Sequence, residues 1–389
     1  MNILLVVPDF PFARKSKNHH EFIPIGLLKL ASYYRSEVSG IDQIKLVRGE
    51  VNNIDFTPDL ILVTSLFTYW SEYVAKSTHY YRGVFPNSEI IVGGIYASLM
   101  PDHCKQNTNC DEVFTGLHPE AEKFPPEYDL MFEENDPPMQ IIHASRGCFR
   151  RCAFCGTWKI EKKPSDKKSI LSEIRSNKLI FYDNNFLQNS NIESILDELK
   201  EATWKNRKIT CESQSGFDGR LITTHLARSL KEARFINPRI AWDGEYSEHK
   251  DIENQIRILT EAGYKNEDIY VFMIYNWSQT FTDTEKKRQK CWELKVQIAD
   301  CRYRPLNQTF DYYNAKLKQT NDDYYIHPNW TDGEIKQFRK NVRRQNICVR
   351  HGFSYYSRDL EHKLINNHIK QLTEDAWYPD EVTSLIDIR

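Results

Sequence analysis

Five short apolar runs, each about a strand in length, punctuate the first 122 residues: "NILLVV" (2–7), "QIKLV" (43–47), "LILVTS" (60–65), "EIIVGG" (89–94) and "EVFTG" (112–116). Between the first two lies "GLLKLASYYR". There Leu27, Leu30, Ala31 and Tyr34 recur at i, i+3, i+4 and i+7 and so share one helical face. A second helical stretch over about 70–83 separates the third and fourth runs. Strand–helix alternation with near-continuous apolar strands predicts a parallel, doubly wound α/β sheet. Such sheets bind ligands at the carboxyl ends of their strands, here 8–11, 64–67, 93–98 and 115–118.

The proline-rich, acidic segment 123–139 reads as a linker over the surface. From "QIIHASRGC" onward a second series begins. Strand-like runs at 178–186, 208–216, 236–245, 268–277 and 296–306 follow that first one, most of them separated by helical stretches. Six strand–helix units over 140–306 are too few to close an eight-fold barrel and predict an open, partial (β/α)6 barrel, with its chemistry at the strand carboxyl ends. Residues 307–389 are polar and aromatic and predict a helical or irregular cap. In it, Thr331 with Glu334 three positions on reads as a helix N-cap. Ile335, Phe338 and Val342 line one face of that helix, beside Arg339, Lys340, Arg343 and Arg344. Arg339, Arg343 and Arg344 are expected at the barrel mouth, holding an anionic substrate or a phosphate; a solvated flank is the plainer alternative.

The net charge of −2 argues against a general polyanion binder. The opening "MNILLVVPDF" has no basic leader, and its apolar run stops after six residues at Pro8 and Asp9. It reads as a buried strand rather than a signal peptide or membrane span. With no other run of membrane length, the expectation is a cytoplasmic protein without a membrane partner. Nine cysteines, an odd number, do not suggest a disulfide framework. Cys104, Cys110, Cys211, Cys291, Cys301 and Cys348 are scattered, as small buried apolar residues would be.

Cys148, Cys152 and Cys155 are different: "SRGCFRRCAFCGTWK" (145–159) sets three thiols at C-x3-C-x2-C. Three readings compete. Zinc wants four ligands in paired units, and no second pair exists, though His143 is a conceivable fourth. A disulfide with a spare thiol is disfavoured by compartment. Three thiolates can instead hold an iron–sulfur cluster, leaving one iron of four open to a ligand.

Spacing and setting resemble the radical S-adenosylmethionine (SAM) enzymes. Their signature is C-x3-C-x-aromatic-C in the loop after the first strand of a partial barrel. It stands here as Cys148, Cys152, Phe154 and Cys155, preceded by "SRG". The resemblance implies a [4Fe–4S] cluster that chelates SAM and cleaves it to a 5′-deoxyadenosyl radical. It also implies an external electron donor of flavodoxin or ferredoxin type. By the same resemblance Phe154 packs near the adenine, and Asp183, Asn184 and Asn185 of "FYDNNF" contact the methionyl group, an Asx-rich turn being the plainer reading. Ser213 and Gln214, Asp243 and Glu245, and Asn276 end the third, fourth and fifth strands as further SAM contacts. Arg302 and Arg304 end the sixth and can hold an anionic substrate. Arg150 and Arg151 either ease cluster reduction or are solvated loop charges.

The amino-terminal half ("PIGLLKLASYYR", "VTSLFTYW", "PNSEIIVGGIYASLMPDHC", "EVFTGLHPEAE") looks like the cobalamin-binding Rossmann domain that precedes the barrel in many radical SAM methyltransferases. The implied corrin contacts are Thr64, Ser65, Gly93, Gly94 and Gly116; glycines needed only for sheet packing are the alternative. The family's D-x-H-x-x-G is absent, and His19 and His20 in "PDFPFARKSKNHH" sit at the wrong offset. A bound corrin would therefore lack that histidine. The resemblance spans about residues 1–306. It implies domains at 1–122, 140–306 and 307–389 around the linker 123–139. The implied reaction is methyl transfer to an unactivated carbon. Two alternatives remain: a radical SAM dehydratase, epimerase or mutase with an empty Rossmann domain, and a cobalamin or iron–sulfur sensor without turnover.

Overall fold

The structure, a computed structural model, describes residues 1–12, 22–132 and 137–352. His19 and His20 lie outside them. The first half forms a five-stranded parallel sheet in the order β2-β1-β3-β4-β5: β1 (Asn2–Val7), β2 (Gln43–Arg48), β3 (Leu60–Ser65), β4 (Glu89–Gly94) and β5 (Glu112–Val113). Three strands have the bounds read from the sequence. The fifth stops early, because the chain turns at Gly116, whose φ is +81°. β1 is buried on both faces from Ile3 to Val7, as a central parallel strand must be. Helices α1 (Ile25–Glu37), α2 (Ser71–Val84), α3 (Ile95–Leu99) and α4 (Pro101–Thr108) accompany the sheet.

α1 buries more than the expected face. Leu27 and Ala31 join the sheet core. Leu28, on the other side, meets Ile23, Tyr128 and Ile141 in a small second core. The cause is the segment after residue 123, which is tied across α1. Ser32 Oγ donates to Pro125 O at 2.6 Å, Glu127 N to Leu28 O at 3.1 Å, and Arg35 pairs with Glu127 and Asp129. Tyr128 then donates to Ile141 O on the first strand of the second half.

That half has six main strands in sequence order. β6 (Gln140–Ile142), β9 (Lys178–Phe181) and β12 (Thr210–Ser213) pair in parallel, as do β13 (Arg239–Ala241), β14 (Tyr270–Tyr275) and β15 (Gln297–Arg302). The parallel bridges Cys211–Phe235 and Phe217–Ile240 join the two triplets. Small antiparallel pairs lie outside this series: β7 (Ser145–Arg146) with β8 (Ser165–Asp166), and β10 (Thr203–Trp204) with β11 (Arg207–Lys208). A four-residue α5 (Thr157–Ile160) follows β7. Helices α6 (Ile192–Glu201), α7 (Thr224–Glu232), α8 (His249–Glu261) and α9 (Phe281–Glu293) follow the successive strands and cover the shared core.

α10 (Asp332–His351) starts at the expected capping box of Thr331 and Glu334 and buries Ile335, Phe338 and Val342. It closes the open edge of β15. The side-chain amide of Asn346 donates to Ile298 O and accepts from Ile298 N, both at 2.8 Å, taking the place of a seventh strand. A fully buried Arg288–Glu285 pair, bonded to Gln345 and Asn341, fastens α9 to α10. This packing corrects the expected basic rim: Arg344 is buried, and Arg339 lies over Tyr313 near Asp300 on mid-β15. Of the three arginines only Arg343 is exposed. No helix among the described residues is long and apolar enough to cross a membrane.

Candidate functional site

The cysteine loop leaves the carboxyl end of β6. Gly147 makes the turn with φ +72°, and a Cβ there would stand 3.1 Å from Pro164 Cα. Side chains from elsewhere hold the loop's backbone. Glu161 accepts from Gly147 N. Gln188 accepts from Phe149 N at 3.1 Å and donates to Gly147 O at 2.9 Å. Trp158 Nε1 donates to Cys152 O at 3.2 Å. Cys148, Cys152 and Cys155 are free thiols, neither fully buried nor fully exposed. The Cys152 thiol is pushed up first by burial and then by negative charge on Cys155, Asp243 and Cys148. No group of three or more His, Cys, Asp or Glu among the described residues is arranged to hold a metal ion, these thiols included. His143 is buried beside Arg146, with its Nε2 2.9 Å from Nη1, and burial followed by the Arg146 charge keeps the ring neutral.

The strand-end residues divide into two sets. Asn184 and Asn185 gather at the loop. Asn184 Oδ1 accepts from Thr157 Oγ1 at 3.0 Å, and that hydroxyl lies 3.3 Å from Cys155 Sγ. Asn185 Nδ2 is 3.8 Å from Cys148 Sγ, while its buried Oδ1 has no partner. Phe154 is half-buried within the loop. In the other set, most side chains bond within the protein. Asp183 is fully buried and accepts from Ala144 N, Ser145 N and Ser145 Oγ, so it clamps the exit of β6. Burial pushes its carboxyl up to about 6, against these hydrogen bonds. Ser213 Oγ donates to Gly216 O. Glu245 is exposed on the turn after β13. Asn276, fully buried at φ +58°, donates to Tyr303 O and Tyr325 O and accepts from His327 N, pinning the segment after β15. Arg302 and Arg304 both hold Asp311. Arg302 lies between the Tyr313 and Tyr324 rings, and its buried Nε and Nη1 have no hydrogen-bond partner.

The sequence reading missed Asp218, Gln188 and Glu161. Asp218 accepts from Arg150 at 2.9 Å and Arg220 at 2.7 Å, so Arg150 is paired rather than solvated. The only signal was an aspartate before glycine in "GFDG". Asp243, half-buried at the end of the fourth strand, is pushed up to about 6 by burial, with Lys287 and Arg220 opposing. Lys287 Nζ donates to Trp242 O and Gly244 O and so fixes that turn.

Of the expected corrin contacts, Thr64 and Ser65 end β3 and Gly93 and Gly94 end β4. Ser65 Oγ donates to Gly93 O at 2.7 Å and accepts from Ala97 N at 3.1 Å. Gly94 has φ +102°, and a Cβ there would be 2.2 Å from Ser65 O. Both residues therefore serve the β3–β4 junction. Thr64 is half-buried, and Gly93 has no neighbour nearer than 3.8 Å to an added Cβ. Beside them Phe67 and Ile95 are exposed, at 41% and 40%. This sheet end abuts the cysteine loop: Gly116 faces Ile160 O, Gly156 faces Leu99, and Arg304 lies over Tyr69.

No family model and no curated protein matches the chain. Among solved structures, it is similar to the radical S-adenosylmethionine methyltransferase TsrM from Kitasatospora setae, determined with cobalamin and a [4Fe–4S] cluster bound. The TM-score is 0.57 with 13% identity, over 79% of this chain and 77% of that chain. A weaker overlap joins it to coproporphyrinogen III oxidase (HemN) from Escherichia coli, a radical SAM enzyme, at TM-score 0.36, 12% identity, and 54% and 52% coverage; no argument rests on it. The likeness is one of fold: this chain shares the architecture of that methyltransferase, in keeping with the fold that the resemblance of the cysteine motif implied.

Proposed function

We propose that the chain is a radical SAM enzyme that transfers a methyl group to an unactivated carbon with the help of cobalamin. The observation that carries the reading is the loop at the end of β6. It bears three unpaired thiols and is braced by side chains from three other segments, with the unpartnered Oδ1 of Asn185 beside Cys148. That donor set fits a [4Fe–4S] cluster held by Cys148, Cys152 and Cys155, with Asn184, Asn185 and Phe154 toward SAM. Three thiolates on one loop, not arranged for a single ion, suit a larger polynuclear group whose positive core relieves their repulsion. Bound there, such a cluster would supply the one-electron reduction that opens the SAM sulfonium. The protein's share is to orient the thiolates, hold the loop and exclude water.

For cobalamin the fitting surface is the apolar pair Phe67 and Ile95 beside Gly93 and Thr64, facing the cysteine loop. Domains at 1–122, 140–306 and 307–389, joined by 123–139, and a cytoplasmic setting that keeps the thiols reduced, belong to the same reading. One observation favours the dehydratase, epimerase or mutase alternative: Ser65 and Gly94 are explained by the sheet alone. Anaerobic reconstitution with iron, sulfide and hydroxocobalamin separates the two. Base-off corrin absorption together with SAM cleavage supports the methyltransferase. Cleavage without corrin binding sinks it and leaves the alternative.

A further inference from the structure

A cavity of about 420 Å³ lies between residues 117–122 and 160–167, beside the exit of β6. Its walls carry four cations, Arg146, Lys162, Lys163 and Lys167, against the carboxylates of Glu122 and Glu161. The guanidinium of Arg146 is fully committed. Its Nε and Nη2 lie 2.9 and 3.0 Å from the two oxygens of Glu122, and its Nη1 lies 2.9 Å from His143 Nε2. Lys167 is held by Glu173. A guanidinium can only donate, so His143 Nε2 accepts, and the neutral ring carries its proton on Nδ1. His143 is 7% exposed and lines the cavity, yet its Nδ1–H meets no acceptor among the described residues. A buried donor without a partner is costly and calls for an acceptor from outside the chain. Ser165 Oγ, Lys162 Nζ and Lys163 Nζ, which border the same cavity, are likewise without partners among the described residues.

We infer that this cavity is a binding site for a small phosphorylated metabolite, with His143, Ser165, Lys162 and Lys163 as the donors to its phosphate. The excess of cations in the walls selects an anion, and a cleft concentrates that field. The form of the donors selects among anions. The planar fork that grips a carboxylate through two parallel bonds is already filled by Glu122. What is left is a pair of lysine point charges, one N–H and one hydroxyl. These suit oxygens spread over a tetrahedral phosphate better than a flat carboxylate. The volume admits an organic phosphate rather than the inorganic ion alone. The site is separate from the thiols, since none of Cys148, Cys152 and Cys155 lines it. It reaches their loop only through Glu161, which accepts from Gly147 N and from Asn184 Nδ2. The inference does not depend on which reaction the thiols serve.

The test is calorimetric titration of the full chain with glycerol 3-phosphate, and with glycerate as a carboxylate of similar shape. The wild type should bind glycerol 3-phosphate at a single site, and glycerate about tenfold or more weaker. A Lys162→Ala/Lys163→Ala variant, altered only at exposed side chains, should lose about tenfold or more in affinity for glycerol 3-phosphate. His143→Phe should lose as much, and His143→Asn, which keeps an N–H donor near the Nδ1 position, should recover part of it. If His143→Phe does not fold, the lysine variant decides. No binding of glycerol 3-phosphate by the wild type would overturn the site. So would glycerate binding as tightly as the phosphate, or unchanged affinity in the lysine variant or in a folded His143→Phe. Binding is read without SAM or turnover, so its failure leaves the radical SAM reading untouched.

Discussion

The two parallel sheets of this protein point their carboxyl ends at one another, yet the ends are built differently. The barrel end supports its loop with polar side chains: Asp183, Asn184, Gln188 and Asp218 come from the turns after two strands, β9 and β12, and converge on the cysteine loop and the residues that flank it. At the amino-terminal end, by contrast, the polar groups are turned inward. Ser65 bonds to Gly93 and Ala97, and what remains at the surface is Phe67 and Ile95. One architecture thus offers an end rich in polar side chains and an end with exposed apolar ones. Strand alternation alone does not tell them apart.

The sharpest way to break this contrast is at the thiols. Cys152→Ala should lose stable iron and all SAM cleavage, whereas Cys291→Ala, in the buried core, should leave the iron count per folded chain unchanged. Equal iron in the two variants would remove the distinction. The next effect is at the apolar end. Gly94→Ala puts a Cβ into the Ser65 backbone at a positive φ and should cost on the order of 3 kcal/mol or more in denaturant unfolding. Gly93→Ala, with open space, should cost less than about 1 kcal/mol. If Gly93→Ala leaves stability intact but weakens corrin binding, the apolar end is the corrin surface; unaltered binding argues that it is not.

A comparable effect should follow pH at the polar end. Asp183 is raised in the folded state above its unfolded value of 3.8, to about 6. The folded state then binds the extra proton between these values, so this residue's contribution is full below about pH 4 and is lost as pH rises through 6. The stability of wild type relative to Asp183→Asn should therefore fall by up to about 3 kcal/mol between pH 4 and 7. A flat difference would mean that the hydrogen bonds from Ala144 and Ser145 outweigh burial. A further effect is expected at Asn276. Asn276→Gly keeps the backbone conformation but loses three hydrogen bonds to residues 303, 325 and 327, and should cost about 2 kcal/mol. It should leave iron loading intact, as befits a residue that pins the segment after β15.

Much of the fold was legible because burial writes itself into sequence. β1, β3 and β4 are apolar on both faces, and their bounds were readable to the residue. The Thr331 capping box announced α10 in the same way. The cysteine motif was legible because its spacing has few physical causes. The polar residues were harder, since type does not reveal direction. Asp183, Asn184 and Asn185 are adjacent, yet one clamps the backbone of β6 while the other two reach the loop. Asn276 and Arg302 read as ligands at strand ends, and their bonds to the cap were not readable from residue type. Asp218 and Gln188 act on the loop from 68 and 41 residues away, a pairing that only the closed fold displays.

The most direct measurement is iron and acid-labile sulfide per chain after anaerobic reconstitution, taken with dithionite-dependent cleavage of SAM in the same sample. A cluster held by Cys148, Cys152 and Cys155 gives about four of each per chain and yields 5′-deoxyadenosine. A chain that loads a single zinc or no iron, with SAM left intact, contradicts it.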